Sequence, residues 1–333
     1  MSLSGSEAPT AVEPVVEADQ STAIRGRSPR ELAMIRFRKD KGSMIAGTVV
    51  AVFLLLAIAA PILHKLGILE PYANHPELLD VANGSVPKGN FGGISASHWL
   101  GVTPGSGTDV LSRLVLGMTY SISIALLAAI LTVLIGTVMG IIAGTSGGWI
   151  DAIIGRIIDM TLSFPQTLML LSLSSTLTMT LENMGVPKGN FARATYLILV
   201  LAVFGWPSFA RIVRAQVLSL REREFVESAK VLGASRWRIY FKEMLPNLWA
   251  PILVYFTLTM PAYISAEAAL SFLGVGVKTP TPTLGNTLSD STNYYDSDLV
   301  YFFIPAVVLA SVVVSFNLLG DGLRDALDPK ADR

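Results

Sequence analysis

The residue best placed for proton or ion chemistry in this chain is Glu267, a carboxylate inside a long apolar stretch. Ionisable groups within a membrane mark proton or sodium coupling when they sit near its middle. Glu267 instead lies late in its stretch, close to the expected external side. Ser163, Thr167, Ser172 and Ser265 are polar residues of similar stretches, and with Glu267 they either line a polar path or bond one helix to another. His64, His75 and His98 are scattered through one segment of a chain without cysteine, so they read as surface residues and no metal site is expected. No acid pair, nucleophile constellation or metal motif points to an enzyme. No Gly-x-x-x-x-Gly-Lys-Ser/Thr loop offers a place for ATP, so the chain is expected to carry no cofactor.

A second kind of chemistry, docking, is written between residues 221 and 247: Arg221-Glu-Arg-Glu-Phe-Val-Glu227-Ser228-Ala229-Lys-Val-Leu-Gly233-Ala234-Ser-Arg236-Trp-Arg-Ile-Tyr-Phe-Lys-Glu-Met-Leu245-Pro246-Asn247. Phe225, Ala229 and Leu232 recur at helical spacing, and Gly233 can end that helix. Trp237, Tyr240, Phe241 and Met244 then form a second apolar face that Pro246 stops. Two short amphipathic helices joined at Gly233 need something to cover them, either headgroups or a partner protein.

The elements that must carry these residues are set by a composition unlike that of a soluble globule. Of the 333 residues 51% are hydrophobic and only 15% charged, with a mean hydropathy of +0.54. Six apolar runs, 44–63, 119–144, 157–179, 195–213, 251–274 and 300–320, are each long enough to cross a bilayer as a helix. The third and fourth are the weakest, because Asp159 opens one and Arg211 closes the other, each charge being near an end where it reaches the interface. A five-span reading breaks the charge pattern. Seven basic residues between Arg25 and Lys41, eight between Arg211 and Lys242, Arg156, Arg324, Lys330 and Arg333 make 19 on the expected cytoplasmic side; Lys65, Lys88, Arg113, Lys188, Arg193 and Lys278 make six outside. Both termini therefore belong in the cytoplasm, and the basic residues report membrane orientation rather than nucleic-acid binding.

Along the chain, residues 1–27 are rich in Ser, Pro, Ala and Glu and are expected to form a disordered tail. Residues 30–41 mix Leu32, Ile35 and Phe37 with basic residues, as either an interfacial helix on lipid headgroups or a solvated charge cluster. A long preceding tail and Pro61 argue against a cleaved signal at span one. The external segment 64–118 carries Pro71, Pro76, Pro87 and Pro104 and reads as turns. Val-Pro-Lys-Gly-Asn-Phe occurs at 86–91 and again at 186–191, by coincidence or as two similar turns on one surface. In span two, Gly136, Gly140 and Gly144 put three bare positions on one helix face for close packing. Pro165, Pro207, Pro261 and Pro305 interrupt other spans in the sequence, and either kinked helices border a polar pathway or the kinks are accommodated in a static bundle.

At residues 227–246 the chain resembles the permeases of binding-protein-dependent ABC importers, whose loop reads Glu-Ala-Ala, three residues, Gly, nine residues, Ile, one residue, Leu-Pro. Glu227, Ala229, Gly233, Leu245 and Pro246 match; Ser228 replaces the middle Ala, and Glu243 stands where Ile is usual. The resemblance extends over roughly the last two-thirds of the chain and is specifically to the second, "C" type permease of the dipeptide, oligopeptide and nickel group. It is carried by Gly107-Thr-Asp-Val-Leu-Ser-Arg113, which lacks the usual Gly-Arg, and by Gly147-Gly-Trp-Ile-Asp151, Ser163-Phe-Pro165, Glu267-Ala-Ala-Leu-Ser-Phe-Leu-Gly274 and Asn317-Leu-Leu-Gly-Asp-Gly-Leu-Arg-Asp-Ala-Leu-Asp-Pro329.

What the resemblance implies is an all-α integral membrane protein of six transmembrane helices, the type I permease bundle of ABC importers. Its segments would be a tail at 1–43, the first transmembrane helix with the external segment at 44–116, the permease core at 117–321 and a cytoplasmic tail at 322–333. It also implies a heterodimer with a homologous permease, two ATPase subunits that use ATP and Mg, and an external substrate-binding protein, all at the cell membrane. Glu227, Ser228, Ala229, Gly233, Ala234, Arg236, Leu245 and Pro246 would form the ATPase-coupling loop, and Ser163, Thr167, Ser172, Ser265 and Glu267 the path of a peptide. A nickel chelate or other small solute is the alternative cargo, and an ion-coupled secondary transporter the alternative mechanism.

Overall fold

A computed structural model describes residues 29–89 and 91–327. The tail at 1–27, Asn90 of the first hexapeptide, and Lys330 and Arg333 lie outside the described residues. Twelve α-helices order the described chain. They are α1 (Pro29–Lys39), α2 (Lys41–Lys65), α3 (Val110–Ser146), α4 (Gly148–Ser163), α5 (Gln166–Ser172), α6 (Ser174–Asn183), α7 (Asn190–Leu220), α8 (Glu224–Val231), α9 (Arg236–Arg238), α10 (Trp249–Phe272), α11 (Leu284–Ser291) and α12 (Leu299–Leu327).

Five of these, α2, α3, α7, α10 and α12, are long and apolar enough to cross a membrane. The third expected span is instead built from pieces. Its residues divide among α4, α5 and α6, of 16, 7 and 10 residues. Pro165 is the cause of the first break: it has no amide proton to donate and holds Phe164 extended, at φ −84 and ψ 133. The other prolines expected to interrupt spans do not. Pro207, Pro261 and Pro305 stay inside α7, α10 and α12, all three buried, where neighbouring helices support the locally broken ladder. The all-α membrane class holds, with one of its six expected crossings segmented.

The core is a packed group of α3, α7, α10 and α12, with α2 laid against α3 and α12. α1 is a helix, as one of the two readings of residues 30–41 requires, and it rests on α12 and α2. Asp40 separates it from α2 by capping: its carboxylate accepts from the amides of Gly42 at 3.0 Å and Ser43 at 3.2 Å.

The segment between α2 and α3 is turns, as its prolines suggest, pinned by a two-residue antiparallel pair, β1 (Leu79–Asp80) and β2 (Val86–Pro87). Its histidines are half-buried rather than surface residues. His64 Nδ1 lies 2.9 Å from the Leu69 carbonyl, and His98 Nδ1 lies 3.0 Å from Asp109, the cap of α3. The two hexapeptides share a left-handed glycine, Gly89 at φ 92 and Gly189 at φ 88, but serve different elements. The first opens with β2 itself. The second leads into α7, where the Asn190 side chain bonds both the amide and the carbonyl of Lys278.

Candidate functional site: the loop after the fourth span and the clefts of the bundle

The loop helices differ in detail from their sequence pattern. α8 ends at Val231, and its last turn closes by a pair of bonds: the Gly233 amide donates to the Lys230 carbonyl and the Ala234 amide to the Ala229 carbonyl, each at 3.0 Å. This geometry needs a left-handed residue at the turn, and Gly233 has φ 78. Leu232 is therefore already off the helix and 86% exposed, and Phe225 is exposed too, so Ala229 alone of the expected apolar face is buried. The residues that α8 buries are Val226 and Ala229. Glu227, Ser228 and Gly233 are exposed, and Ala234 is half-buried.

Ser235 starts the second helix, its hydroxyl accepting from the Arg238 amide at 3.4 Å. α9 passes into a π turn over 239–244 and a 3-10 turn over 245–247 that contains Pro246. Only part of the expected second apolar face is covered. Ile239 and Met244 are buried, Tyr240 and Leu245 half-buried, while Trp237 stands 70% exposed, stacked on Phe241 with ring centroids 5.3 Å apart. Arg236 and Pro246 are exposed beside them. The loop thus leaves Val231, Leu232, Trp237 and Phe241 exposed, with Trp237 and Phe241 lining an apolar groove against Leu134 and Val138 of α3, and Arg236, Arg238 and Lys242 are exposed in the same segment.

Two ion pairs tie the bundle above this loop. Arg214 donates from Nε and Nη2 to the two oxygens of Asp151, both at 2.6 Å, and Arg211 donates to Asp159 at 2.8 Å. The charges that weaken the third and fourth apolar runs are therefore each other's partners. The Arg214 guanidinium holds the Asp151 carboxyl below its usual range, and burial opposes this only in part.

The five expected path residues separate into two groups. Ser163, Thr167, Ser172 and Ser265 are exposed, and the hydroxyls of Ser163 and Ser172 bond back to carbonyls of their own helices, Met160 at 2.7 Å and Leu168 at 2.8 Å. Glu267 is 0% exposed. Its carboxylate accepts the hydroxyls of Ser121 at 2.7 Å and Ser271 at 2.8 Å, and Ser121 in turn accepts from the Leu284 amide at 3.0 Å. That chain of bonds locks α3, α10 and α11 together. A cleft of about 430 Å³ opens beside the break between α4 and α5, lined by Thr161, Gln166, Ser208, Thr259 and Tyr263 among others. The sequence reading does not single out these polar groups. The available signal was proximity to proline, since Gln166 and Ser208 each follow one.

The glycine stripe of α3 faces α7. A Cβ on Gly136, Gly140 or Gly144 would come within 2.8 Å of Phe209, 2.6 Å of Val213 and 2.7 Å of Val217 respectively. Those partners are also spaced by four, so a row of bare positions receives a row of side chains.

Residues 136–333 match the family described as "Binding-protein-dependent transport system inner membrane component". The chain belongs to that family. Residues 28–76 match the N-terminal transmembrane domain of oligopeptide transport permease C. Among curated relatives, the dipeptide transport system permease protein DppC of Alkalihalophilus pseudofirmus is 36% identical over 312 residues, 94% of this chain and 92% of that protein. The oligopeptide transport system permease protein OppC of Bacillus subtilis is 37% identical over 301 residues, covering 90% and 88%. The glutathione transport system permease protein GsiD of Salmonella typhimurium is 36% identical over 321 residues, covering 95% and 94%. Among solved structures, the inward-facing MetNI methionine ABC transporter aligns with a TM-score of 0.51 at 19% identity, over 66% of this chain and 97% of that one, a likeness of fold. As a member of this family the chain is a multi-pass membrane permease subunit.

Proposed function

We propose that this permease moves short peptides inward across the cell membrane by alternating access. It is paired with a similar permease, seated on two ATPase subunits that use ATP and Mg, and supplied by an external binding protein. The observation that carries this reading is the exposed apolar surface of α8 and α9, with Val231 at 87% and Trp237 at 70% exposure on a short, well-closed helix pair. Such a surface, with basic residues in the same segment, is fitted to a protein groove, and Glu227, Gly233 and their neighbours are its coupling residues. The relatives whose names specify dipeptide, oligopeptide and glutathione transport support the peptide cargo over nickel. The burial of Glu267 among serine hydroxyls supports a structural role for it, against an ion-coupled secondary transporter.

Reconstituted with its partners in vesicles, with ATP and Mg on the ATPase side and the binding protein opposite, the complex is expected to take up labelled dialanine. Uptake that is the same without ATP overturns the ATP-driven reading, and no uptake of any peptide overturns the cargo. For the topology, the cysteine-free chain allows Ser85→Cys and Ser235→Cys to be labelled with an impermeant thiol reagent in intact cells. Labelling at position 85 alone is expected, and labelling at 235 alone reverses the orientation.

A further inference from the structure

The first turn of α3 carries a buried cation whose Nε has no partner among the described residues. Arg113 is 7% exposed, and its Nε has no hydrogen-bond partner. Among the described residues, no carboxylate stands within ion-pair distance of its guanidinium. A guanidinium carries five donors in a planar fork, and taking it out of water unpaired is unfavourable, so this geometry calls for an anion from outside the chain.

Arg113 lines a cavity of about 650 Å³ beneath the segment between α2 and α3. Tyr72 and Asn74 enter it from that segment, Asp290 from α11 and Tyr294 from the turn that follows. The volume is that of a small-molecule site. Asp290 makes no ion pair with Arg113, and its Oδ2 accepts the Tyr301 hydroxyl at 2.7 Å. One cavity therefore holds a positive and a negative group that do not pair with each other, with phenol and amide groups between the elements that supply them.

We infer that this cavity is a binding site for a short zwitterionic peptide, with the Arg113 guanidinium gripping its terminal carboxylate and Asp290 facing its ammonium group. The fork of Arg113 matches a carboxylate through two parallel N–H donors. A phosphate, with more negative charge and no cation of its own, would be repelled by Asp290. The hydroxyls of Tyr72 and Tyr294 and the amide of Asn74 suit a peptide bond without reading a side chain. The site deepens the peptide reading given above and rests on it. It would hold a peptide at the outer end of α3, apart from the cleft beside α4 and α5.

The test compares three probes on the full chain in lipid nanodiscs: dialanine, its C-terminal amide and its N-acetyl form. The wild type is expected to bind dialanine at least about tenfold more tightly than the amide, the scale of one charged hydrogen bond. In Arg113→Gln the free acid and the amide should bind alike, in Arg113→Lys part of the preference should persist, and in Asp290→Asn the penalty for N-acetylation should vanish. Equal binding of acid and amide by the wild type overturns the site whatever becomes of the variants. A wild-type preference that survives in Arg113→Gln overturns it too, and leaves Arg113 a structural role through water. Peptide uptake by the assembled transporter separates the two readings. Uptake undiminished in Arg113→Gln removes this site and leaves the importer standing, whereas a wild-type complex that imports no peptide removes the importer reading itself.

Discussion

A Cβ added to Gly140 would stand 2.6 Å from the Val213 Cβ, whereas one added to Gly233 would meet nothing within 4 Å. The first glycine is needed for space, in a seam where α3 and α7 pack backbone against side chain. The second is needed for its dihedral angle, φ 78, at a turn that nothing else among the described residues covers. The two regions differ in the same way throughout. The seam buries Phe209, Val213 and Val217 completely, and the loop leaves Val231 and Leu232 almost wholly in solvent. A region that has satisfied its apolar surface is read as scaffold, and one that has not is read as waiting for a partner.

The largest expected effect lies in the seam. Gly140→Ala should destabilise the bundle by about 1–3 kcal/mol, the usual cost of overpacking, and Gly140→Leu by more, with loss of monodisperse protein. Thermal unfolding in detergent checks this, and Val213→Ala should recover part of the stability of Gly140→Ala. An unchanged melting temperature in Gly140→Leu would show that the helices separate freely there and would erase the contrast.

Gly233→Val should strain the turn by about 1–2 kcal/mol, as a left-handed residue with a branched side chain does, while the transmembrane bundle stays folded. Peptide uptake and copurification of the ATPase subunits should both fall, and Gly233→Asn should be milder. Normal uptake with normal copurification would remove the coupling role of the turn.

The Asp151–Arg214 pair sharpens the comparison through pH. Because the Asp151 carboxyl is held below its usual range, its contribution to stability is fully present above that range and is lost as pH falls through the lowered value. Wild type should melt above Asp151→Asn at neutral pH, and the two curves should converge in acid. A difference that persists unchanged at the lowest pH tolerated would assign the effect to something other than ionisation.

The smallest stability effect is expected at Glu227, an exposed residue of α8. Glu227→Ala should leave unfolding within about 0.5 kcal/mol of wild type, yet reduce uptake in the assembled transporter. Equal uptake would confine the coupling surface to its apolar residues.

Much of this protein is legible in local chemistry. The length of an apolar run bears directly on crossing a bilayer, a glycine after a helical pattern ends it, and the absence of a phosphate loop needs no fold to be seen. Those features depend on residues close together in sequence, and the class, the helix pair at 221–247 and the turn at Gly233 follow from them. What the sequence leaves open is which distant groups meet. Ser121 and Glu267 are 146 residues apart, so the bond that joins them and the burial of Glu267 have no local trace. Asp159 and Arg211 each look like a flaw in an apolar run until α4 and α7 come together. The face that α8 buries shifts to Val226 and Ala229 because the closing turn takes Leu232 off the helix, and Pro165 divides one span while three other prolines stay within theirs. Helical periodicity marks which residues can share a face, but long-range packing chooses the partner, because desolvation and ion pairing are properties of the assembled neighbourhood and not of the residue.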